Sequence, residues 1–238
     1  MRSPFKAPNH ITNAFGRWVL LVALGLVLLQ LYFLMSIAAM AWLPTPSTTF
    51  ERSEALRVWQ HKQNLPWQQT WVDYANISDH LKRAVIVSED DGFVFHDGVE
   101  WDALEKAWLK NQQTPAKVVG GSTITQQLAK NLFLSGERTL LRKAQEFLLT
   151  HMLEGLLTKR RILEIYLNHV EWGEGVFGAE AAARHYFRKS AAQLTPYEAA
   201  RLAVMLPRPK YFEKLPNSPY LTQRAQVIAG RLGRAKLP

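Results

Sequence analysis

The sequence predicts a mostly α-helical protein with one N-terminal transmembrane helix. Apolar residues recur at helical spacing along most of the chain, whereas the alternation typical of strands is scarce. Residues 18–43 contain no charge. At about 1.5 Å per residue this segment is about 39 Å long, enough to cross the roughly 30 Å of a bilayer core. We therefore predict an N-terminal segment, 1–17, a transmembrane anchor, 18–43, and one helical domain, 44–238.

A cleaved signal peptide is the alternative interpretation of the apolar segment. Ala39-Met40-Ala41 fits a small-residue cleavage site, but the apolar part of a signal peptide has only about 7–15 residues. The length therefore favours a retained anchor. Arg2, Lys6 and Arg17 precede the span and no acid does, and positive residues stay on the cytoplasmic side. We expect a cytoplasmic N-terminus and a domain beyond the membrane.

The composition excludes several classes of protein. The 238 residues include no Cys, which excludes a disulfide framework, a Cys-ligated metal and a thiol nucleophile. With 47% apolar and 21% charged residues, the chain is not a disordered polyelectrolyte. Its net charge of +9 suits anionic lipid head groups or a phosphate-bearing substrate. Nucleic acid is disfavoured as a partner, because the predicted topology exports the domain.

Capping residues and apolar spacing predict the helices of the domain. Ser78, Ser122 and Thr195 stand where N-caps are expected, and Pro196 fits a first helical position. Helical spacing of apolar residues covers 101–108, 139–157, 159–167, 179–186 and 220–232. In the longest of these, one side carries Leu140, Ala144, Phe147, Leu148, Met152 and Leu156. The best candidate for an extended segment is Trp71–Ile77.

An acidic run ends the helix that Ser78 begins. Glu89, Asp90 and Asp91 follow an apolar stretch, although negative charge opposes the dipole at a helix C-terminus. Such a local conflict indicates a purpose beyond helix stability. A solvated acidic turn is the alternative, and for an isolated acidic run it is the favoured interpretation.

A second segment has two glycines before Ser122 and then a helix. Backbone N–H groups and the helix dipole bind anions at such a start. Gln127, Lys130 and Asn131 lie within the next turns and are candidates for binding sugar or phosphate oxygens. An ordinary glycine turn with a Ser N-cap explains this segment equally well when it is taken alone.

Charged residues share one face of the helix predicted over 139–157 and its approach. Arg138, Arg142 and Glu146 recur at four-residue intervals, and Lys143 lies beside Glu146. The pattern fits a cationic groove for phosphate with one carboxylate inside it. A surface ion pair worth a few tenths of a kcal/mol is the alternative.

The segment Gly173–Gly178 matches the pattern G-x-G-x-x-G. A dinucleotide site needs this pattern between a strand and a helix, whereas here it follows a helical pattern. We therefore expect a tight loop between two helices. The helix before it, with Tyr166 and Asn168, fits core packing equally well.

Five motifs follow one another between Glu89 and Pro209. They are Glu89-Asp90-x-x-Phe93-x-x-His96, Gly120-Gly-Ser-Thr-Ile-Thr-Gln-Gln-x-x-Lys130-Asn131, Arg142-Lys143-x-x-Glu146, Lys159-x-x-Ile-Leu-Glu-x-Tyr-Leu-Asn168 and Leu202-Ala-x-x-Leu-Pro207-x-Pro209. Each is weak alone. In this order they resemble the peptidoglycan glycosyltransferase family, the glycosyltransferase module of penicillin-binding proteins, and especially its monofunctional form. Arg161, where the family often has an acid, and Glu100, where it usually has Asp, depart from the pattern.

The resemblance implies a lysozyme-like helical fold and a reaction. The substrate would be lipid II, a disaccharide-pentapeptide on undecaprenyl pyrophosphate. The 4-hydroxyl of the acceptor's GlcNAc would attack C1 of the donor's MurNAc and displace the lipid pyrophosphate. The product would be a β-1,4-linked glycan strand with inversion at that carbon. No Ser-x-x-Lys and no Lys-Thr-Gly occurs in residues 44–238, so we expect no transpeptidase activity.

The resemblance also assigns roles. Glu89 matches the family's general base and Glu146 its second essential acid. Substrate binding falls to Ser122, Gln127, Lys130, Asn131, Arg138, Arg142 and Lys143. A divalent metal, Mg²⁺ or Mn²⁺, on the phosphates is an option with Glu146 as candidate ligand. No nucleotide or organic cofactor is implied.

The implied location is the bacterial inner membrane, with a single span and a periplasmic catalytic domain. Expected partners are lipid II, the growing glycan strand, the membrane itself and proteins of cell-wall synthesis or division. Two other functions stay open at this point. A lysozyme-like hydrolase would also use a carboxylate in a helical fold, although cleaving a sugar–sugar bond releases no pyrophosphate. A membrane-tethered scaffold would need neither acid.

Overall fold

A computed structural model describes residues 10–45, 47–61, 67–102, 105, 121–137 and 139–238. The fold is mostly α-helical, as predicted. The α-helices are α1 His10–Ala39, α2 Thr49–His61, α3 Asp79–Glu89, α4 Ile124–Phe133, α5 Leu140–Leu156, α6 Lys159–His169, α7 Ala179–Phe187, α8 Pro196–Met205, α9 Pro209–Glu213 and α10 Pro219–Ala229. The strands are β1 Gln68–Gln69, β2 Glu171–Gly173 and β3 Val176–Phe177. Residues 101, 102 and 105 are helical, and the rest of the helix predicted over 101–108 lies outside the described residues.

Helix α1 is long and apolar enough to cross a membrane over Ala14–Ala39, where its mean hydropathy is 2.4. It ends four residues before the predicted end of the span at Leu43. Residues 40–42 form a turn, and Pro44 disfavours a helical conformation at Leu43. Arg161 of α6 donates hydrogen bonds to the carbonyls of Met40 at 2.8 Å and Leu43 at 2.7 Å. The residue that departs from the family pattern therefore contacts the segment that follows the apolar helix α1.

The core of the domain lies around α6. Ile162, Leu163 and Ile165 of this helix are fully buried. Helix α4 packs against α2, α5 and α6, while α8 packs against α3 and α10. The side chains of α4 are therefore surrounded by three helices, and those on its open side face a cleft.

Two of the three predicted N-caps are confirmed. The Ser78 hydroxyl accepts a hydrogen bond from the His80 N–H at the start of α3, and Thr195 forms a capping box with Glu198 before α8. The prediction for Ser122 was wrong, because Thr123 caps α4. A capping box needs Glu or Gln three residues after the cap. Gln126 fills that position for Thr123, whereas the residue three after Ser122 is a Thr.

The extended segment predicted over Trp71–Ile77 was also wrong. The nearest strand, β1, covers only two residues and lies before Trp71. Within the predicted segment, Tyr74–Asn76 form a 3₁₀ turn. The side chain of Asn168 replaces a neighbouring strand at Val72: its Oδ1 accepts from the Val72 N–H at 2.9 Å, and its Nδ2 donates to the Val72 carbonyl at 2.9 Å. A side chain that satisfies both backbone groups removes the need for a ladder.

The glycine-rich segment forms a β-hairpin between α6 and α7. Strands β2 and β3 are antiparallel, and β1 completes a three-stranded sheet in the order β1-β3-β2. Gly178 has φ +83°, and a Cβ there would lie 2.6 Å from the Asn168 carbonyl oxygen. Close packing against α6 therefore explains why position 178 is a glycine, and no ligand is needed to explain it.

The apolar side of α5 is not its buried side. Leu140 is 91% exposed, and Leu148 and Leu156 are also exposed. The buried residues of this helix are instead Glu146, Leu149, Thr150 and Leu153. A carboxylate therefore points inward while leucines point outward, beside the point where α1 contacts α5. An exposed apolar surface of this kind is typical of a membrane or protein contact.

Helix α7 ends in a strained conformation that can be relieved. Its C-cap Arg188 is exposed and has the left-handed φ of 56°, which costs an L-residue with a Cβ about 1 kcal/mol. We predict that Arg188→Gly increases the free energy of unfolding by roughly 1 kcal/mol. Denaturant unfolding of the full chain in detergent measures it. Arg188→Ala is the control, since it removes the same long side chain but keeps the Cβ; equal stability of the two variants would contradict the prediction.

Candidate active site

The acidic run at the end of α3 is only partly solvated, because Asp91 is exposed whereas Asp90 is buried. The Asp90 side chain is fully buried and both of its oxygens are bonded: Oδ1 lies 2.8 Å from His96 Nε2, and Oδ2 accepts from the Ile124 N–H at 2.9 Å. The Gly98 N–H donates to His96 Nδ1 at 3.1 Å, so Nε2 carries the proton and donates to Asp90. Asp90 ends α3, but its charge lies at the N-terminus of α4, where the dipole favours it.

Glu89 is placed in a chain of hydrogen bonds that leads into the core. Its Oε2 accepts from Gln127 Nε2 at 3.1 Å, and the Gln127 Oε1 accepts from the Tyr166 hydroxyl at 2.9 Å. Tyr166 is fully buried, so it fixes the orientation of the Gln127 amide, whose NH₂ group then faces Glu89.

The surroundings of Glu89 are poorly solvated. Burial raises the pKa of Glu89 above its usual value, and the nearby charge of Asp90 raises it further. Hydrogen bonds from Gln127 and from Ser88 partly lower it. A carboxylate whose pKa is moved towards neutral pH is suited to accept a proton in a reaction.

A cavity of about 330 Å³ opens beside this chain. Its wall is built from α4, from the loop after it and from the first turns of α5, with one residue from α2. The lining residues are Phe50, Ser122, Gln126, Gln127, Lys130, Asn131, Leu134, Ser135, Gly136, Glu137, Arg142, Lys143 and Glu146. Glu89 adjoins this cavity through its bond to Gln127.

Glu146 supplies a buried negative charge at one end of the cavity. It is 3% exposed. Its Oε2 lies 2.7 Å from Arg142 Nη1, and its Oε1 is paired with Lys143 Nζ. The pair predicted from the four-residue spacing is therefore partly buried in the cavity and is not a surface ion pair.

Lys130 faces the same end of the cavity from α4. Partial desolvation lowers the pKa of Lys130; Glu146 opposes the shift, and Arg142 and Lys143 add to it. Three cations, Lys130, Arg142 and Lys143, line the cavity with two acids, Glu137 and Glu146, which leaves a positive excess. An anion such as a phosphate would be bound there with favourable energy.

The structure gathers most of the residues predicted from the sequence. Ser122, Gln127, Lys130, Asn131, Arg142, Lys143 and Glu146 all line one cavity, and Glu89 lies beside it. Arg138 lies outside the described residues. Sequence reasoning missed Phe50, which no motif contains, and gave no catalytic context to Tyr166. Tyr166 belongs to the fourth motif, but its hydrogen-bond partner Gln127 is 39 residues away in the sequence, so the bond could not be predicted from local spacing.

The described part of the chain contains no preformed site for the divalent metal that the resemblance implies. No group of three or more His, Cys, Asp or Glu residues there could hold a metal ion. Both oxygens of Glu146 are already paired with cations. The protein groups at the cavity therefore do not fit a metal bound by protein ligands alone.

Comparisons with known proteins identify the family of this chain. The family model described as Transglycosylase matches residues 56–233. The chain is 52% identical over 226 residues to the biosynthetic peptidoglycan transglycosylase of Paraburkholderia xenovorans, covering 93% of this chain and 94% of that protein. It is 52% identical over 222 residues to the protein of that name from Herminiimonas arsenicoxydans, covering 93% and 96%. The chain therefore belongs to the peptidoglycan transglycosylase family and is a transglycosylase enzyme.

Proposed function

We propose that this transglycosylase polymerises lipid II. The 4-hydroxyl of the acceptor's GlcNAc attacks C1 of the donor's MurNAc, the bond from C1 to the pyrophosphate oxygen breaks, and undecaprenyl pyrophosphate leaves. The new bond is β-1,4, so the configuration at C1 inverts. The hydroxyl proton goes to Glu89.

The cluster of Lys130, Arg142 and Lys143 around buried Glu146 is the observation that carries this proposal. Negative charge accumulates on the pyrophosphate as its bond to C1 breaks. Fixed cations stabilise that charge more in the transition state than in the ground state, which is the condition for catalysis. Glu146 holds Arg142 and Lys143 in place through its two oxygens.

Glu89, which adjoins the cavity through Gln127, would supply the general base. A sugar hydroxyl is a poor nucleophile, and a positioned carboxylate that removes its proton contributes about 10²–10⁴-fold in rate. The raised pKa of Glu89 strengthens it as a base, and Tyr166 and Gln127 hold it in position.

Polar residues of the cavity wall are suited to the sugars. Ser122, Gln127 and Asn131 would bind sugar or phosphate oxygens, and Phe50 and Leu134 provide apolar wall, a mixture that is typical of ligand sites. Arg138, on the approach to α5, would add to the cations.

A divalent ion, Mg²⁺ or Mn²⁺, remains part of the proposal only as a companion of the substrate. Such ions prefer oxygen ligands and often bind through phosphates. The pyrophosphate would be the main ligand, and Glu146 would be the candidate protein ligand in the same cavity. Its charge would add to that of the three cations.

We also propose the cellular setting. Helix α1 would cross the bacterial inner membrane once, with the N-terminus cytoplasmic and the domain periplasmic, as the positive residues before the span indicate. The anchor would hold the enzyme where its lipid-linked substrate lies. The chain would have no transpeptidase activity, and cell-wall synthesis or division proteins would be its protein partners.

Neutralising either acid should abolish most of the activity. We predict that Glu89→Gln lowers the rate of lipid II polymerisation at least ~10²-fold, because the base is lost. Glu146→Gln should cause a loss of at least ~10²-fold, because the cations lose their fixed arrangement. Incubation with labelled lipid II and separation of the polymer measure both rates.

The exposed Asp91→Asn variant is the matched control, since it removes a charge two residues from Glu89. It should polymerise at the wild-type rate. Wild-type rates in Glu89→Gln or Glu146→Gln would contradict the assigned roles. Shortening of purified glycan without any growth from lipid II would support a hydrolase instead.

The bond from Gln127 should set the pH dependence. It stabilises the ionised form of Glu89, so its removal in Gln127→Leu raises the pKa of Glu89 further. The base must be ionised to act, so the acid limb of the kcat/KM profile should move to higher pH. Polymerisation rates across pH 4–8 measure this shift. The control variant Asp91→Asn should keep the wild-type pH profile. An unmoved limb in Gln127→Leu would show that Glu89 does not control it.

A further inference from the structure

Helix α1 contains a glutamine inside its apolar segment. Gln30 is nine residues before the helix end at Ala39, or about 13.5 Å along the axis. A polar side chain at that depth is costly unless it finds a polar partner. The anchor would be more apolar without it, so its presence calls for an explanation other than membrane insertion.

The partner of Gln30 is Gln145 of α5. The two amides form a reciprocal pair: Gln30 Nε2 donates to Gln145 Oε1 at 3.0 Å, and Gln145 Nε2 donates to Gln30 Oε1 at 3.1 Å. Both side chains are half-buried. Each amide donates one hydrogen bond to the other and accepts one from it, so the pair needs no water to bridge it.

Apolar contacts hold the rest of the anchor against the domain. Phe33 packs edge-on against Phe133 of α4, with ring centroids 5.1 Å apart. Ile37 is fully buried, and Arg161 binds the two carbonyls at the end of the anchor. The amide pair is therefore one end of a continuous contact between α1 and the domain.

Gln145 is adjacent in sequence to Glu146. Consecutive helical residues point about 100° apart, so α5 directs one side chain to the anchor and the next into the cavity. Leu140 and Leu141, at the start of the same helix, are 91% and 82% exposed. A helix with leucines outward and a bond to the anchor is suited to contact the bilayer.

We propose that Gln30 and Gln145 are a positioning pair for catalysis. They fix the rotation and depth of α5 relative to the anchor, so that Arg142, Lys143 and Glu146 lie at the level of the substrate's pyrophosphate. The inference rests on the proposed lipid-linked substrate. It makes the anchor a part of the catalytic arrangement, whereas a simple tether would only concentrate the enzyme at the membrane.

The test uses the full chain in vesicles of phosphatidylethanolamine and phosphatidylglycerol that contain labelled lipid II. The variants are Gln30→Leu, Gln145→Leu, the double variant and, as control, Met35→Leu at a lipid-exposed position of α1. Leucine spans a bilayer at least as well as glutamine, so a tether predicts no change in any variant.

A positioning pair predicts that kcat falls about 3- to 30-fold in each single variant, the range of one interhelical hydrogen-bonded pair in a membrane. KM should change less, because the cations act mainly as the leaving group gains charge. The double variant should be no slower than the slower single one, and Met35→Leu should match the wild type. Far-UV circular dichroism and membrane flotation confirm that each variant is folded and inserted.

Three results would overturn the proposal. One is a kcat within about 2-fold of wild type in Gln30→Leu, which is below the expected range. Another is a double variant whose loss equals the product of the two single losses. The third is a loss confined to KM. A wild-type chain that fails to polymerise lipid II would instead remove the proposed function, and this inference with it.

Discussion

The Asp90 carboxylate joins the end of α3 to the start of α4, and the candidate site depends on that junction. It is buried, accepts from the Ile124 N–H and is bonded to His96. Because its charge meets the positive end of the α4 dipole, a carboxylate that is unfavourable for α3 becomes favourable for the fold. The junction brings Glu89 within hydrogen-bond distance of Gln127. One side chain thereby positions the last residue of one helix on the first turns of another.

The two functional acids of the site have different surroundings. Glu89 faces an amide and a hydroxyl, and burial raises its pKa. Glu146 is held between Arg142 and Lys143. Acids in such contrasting environments are suited to different roles in one reaction. In the proposed reaction Glu89 would accept a proton and Glu146 would arrange positive charge around the pyrophosphate.

Local sequence signals predicted most helices, because caps and apolar spacing act over one or two turns. The cavity residues were predicted through the motifs that carry the family resemblance. Local signals failed where a residue distant in the sequence determines the local structure. The extended segment at Val72 is replaced by a bond to Asn168, 96 residues away. The leucines of α5 follow helical spacing, but spacing shows only that a side is apolar and not what it faces. The partner of Gln30, Gln145, is 115 residues away.

The most direct test is a crystal structure of the full chain with an unreactive lipid II analogue that keeps the pyrophosphate. The account predicts pyrophosphate oxygens within hydrogen-bond distance of Lys130 and Arg142, and an acceptor sugar hydroxyl at Glu89. A pyrophosphate bound away from this cavity, or a Glu89 carboxylate out of reach of any sugar hydroxyl, would contradict it.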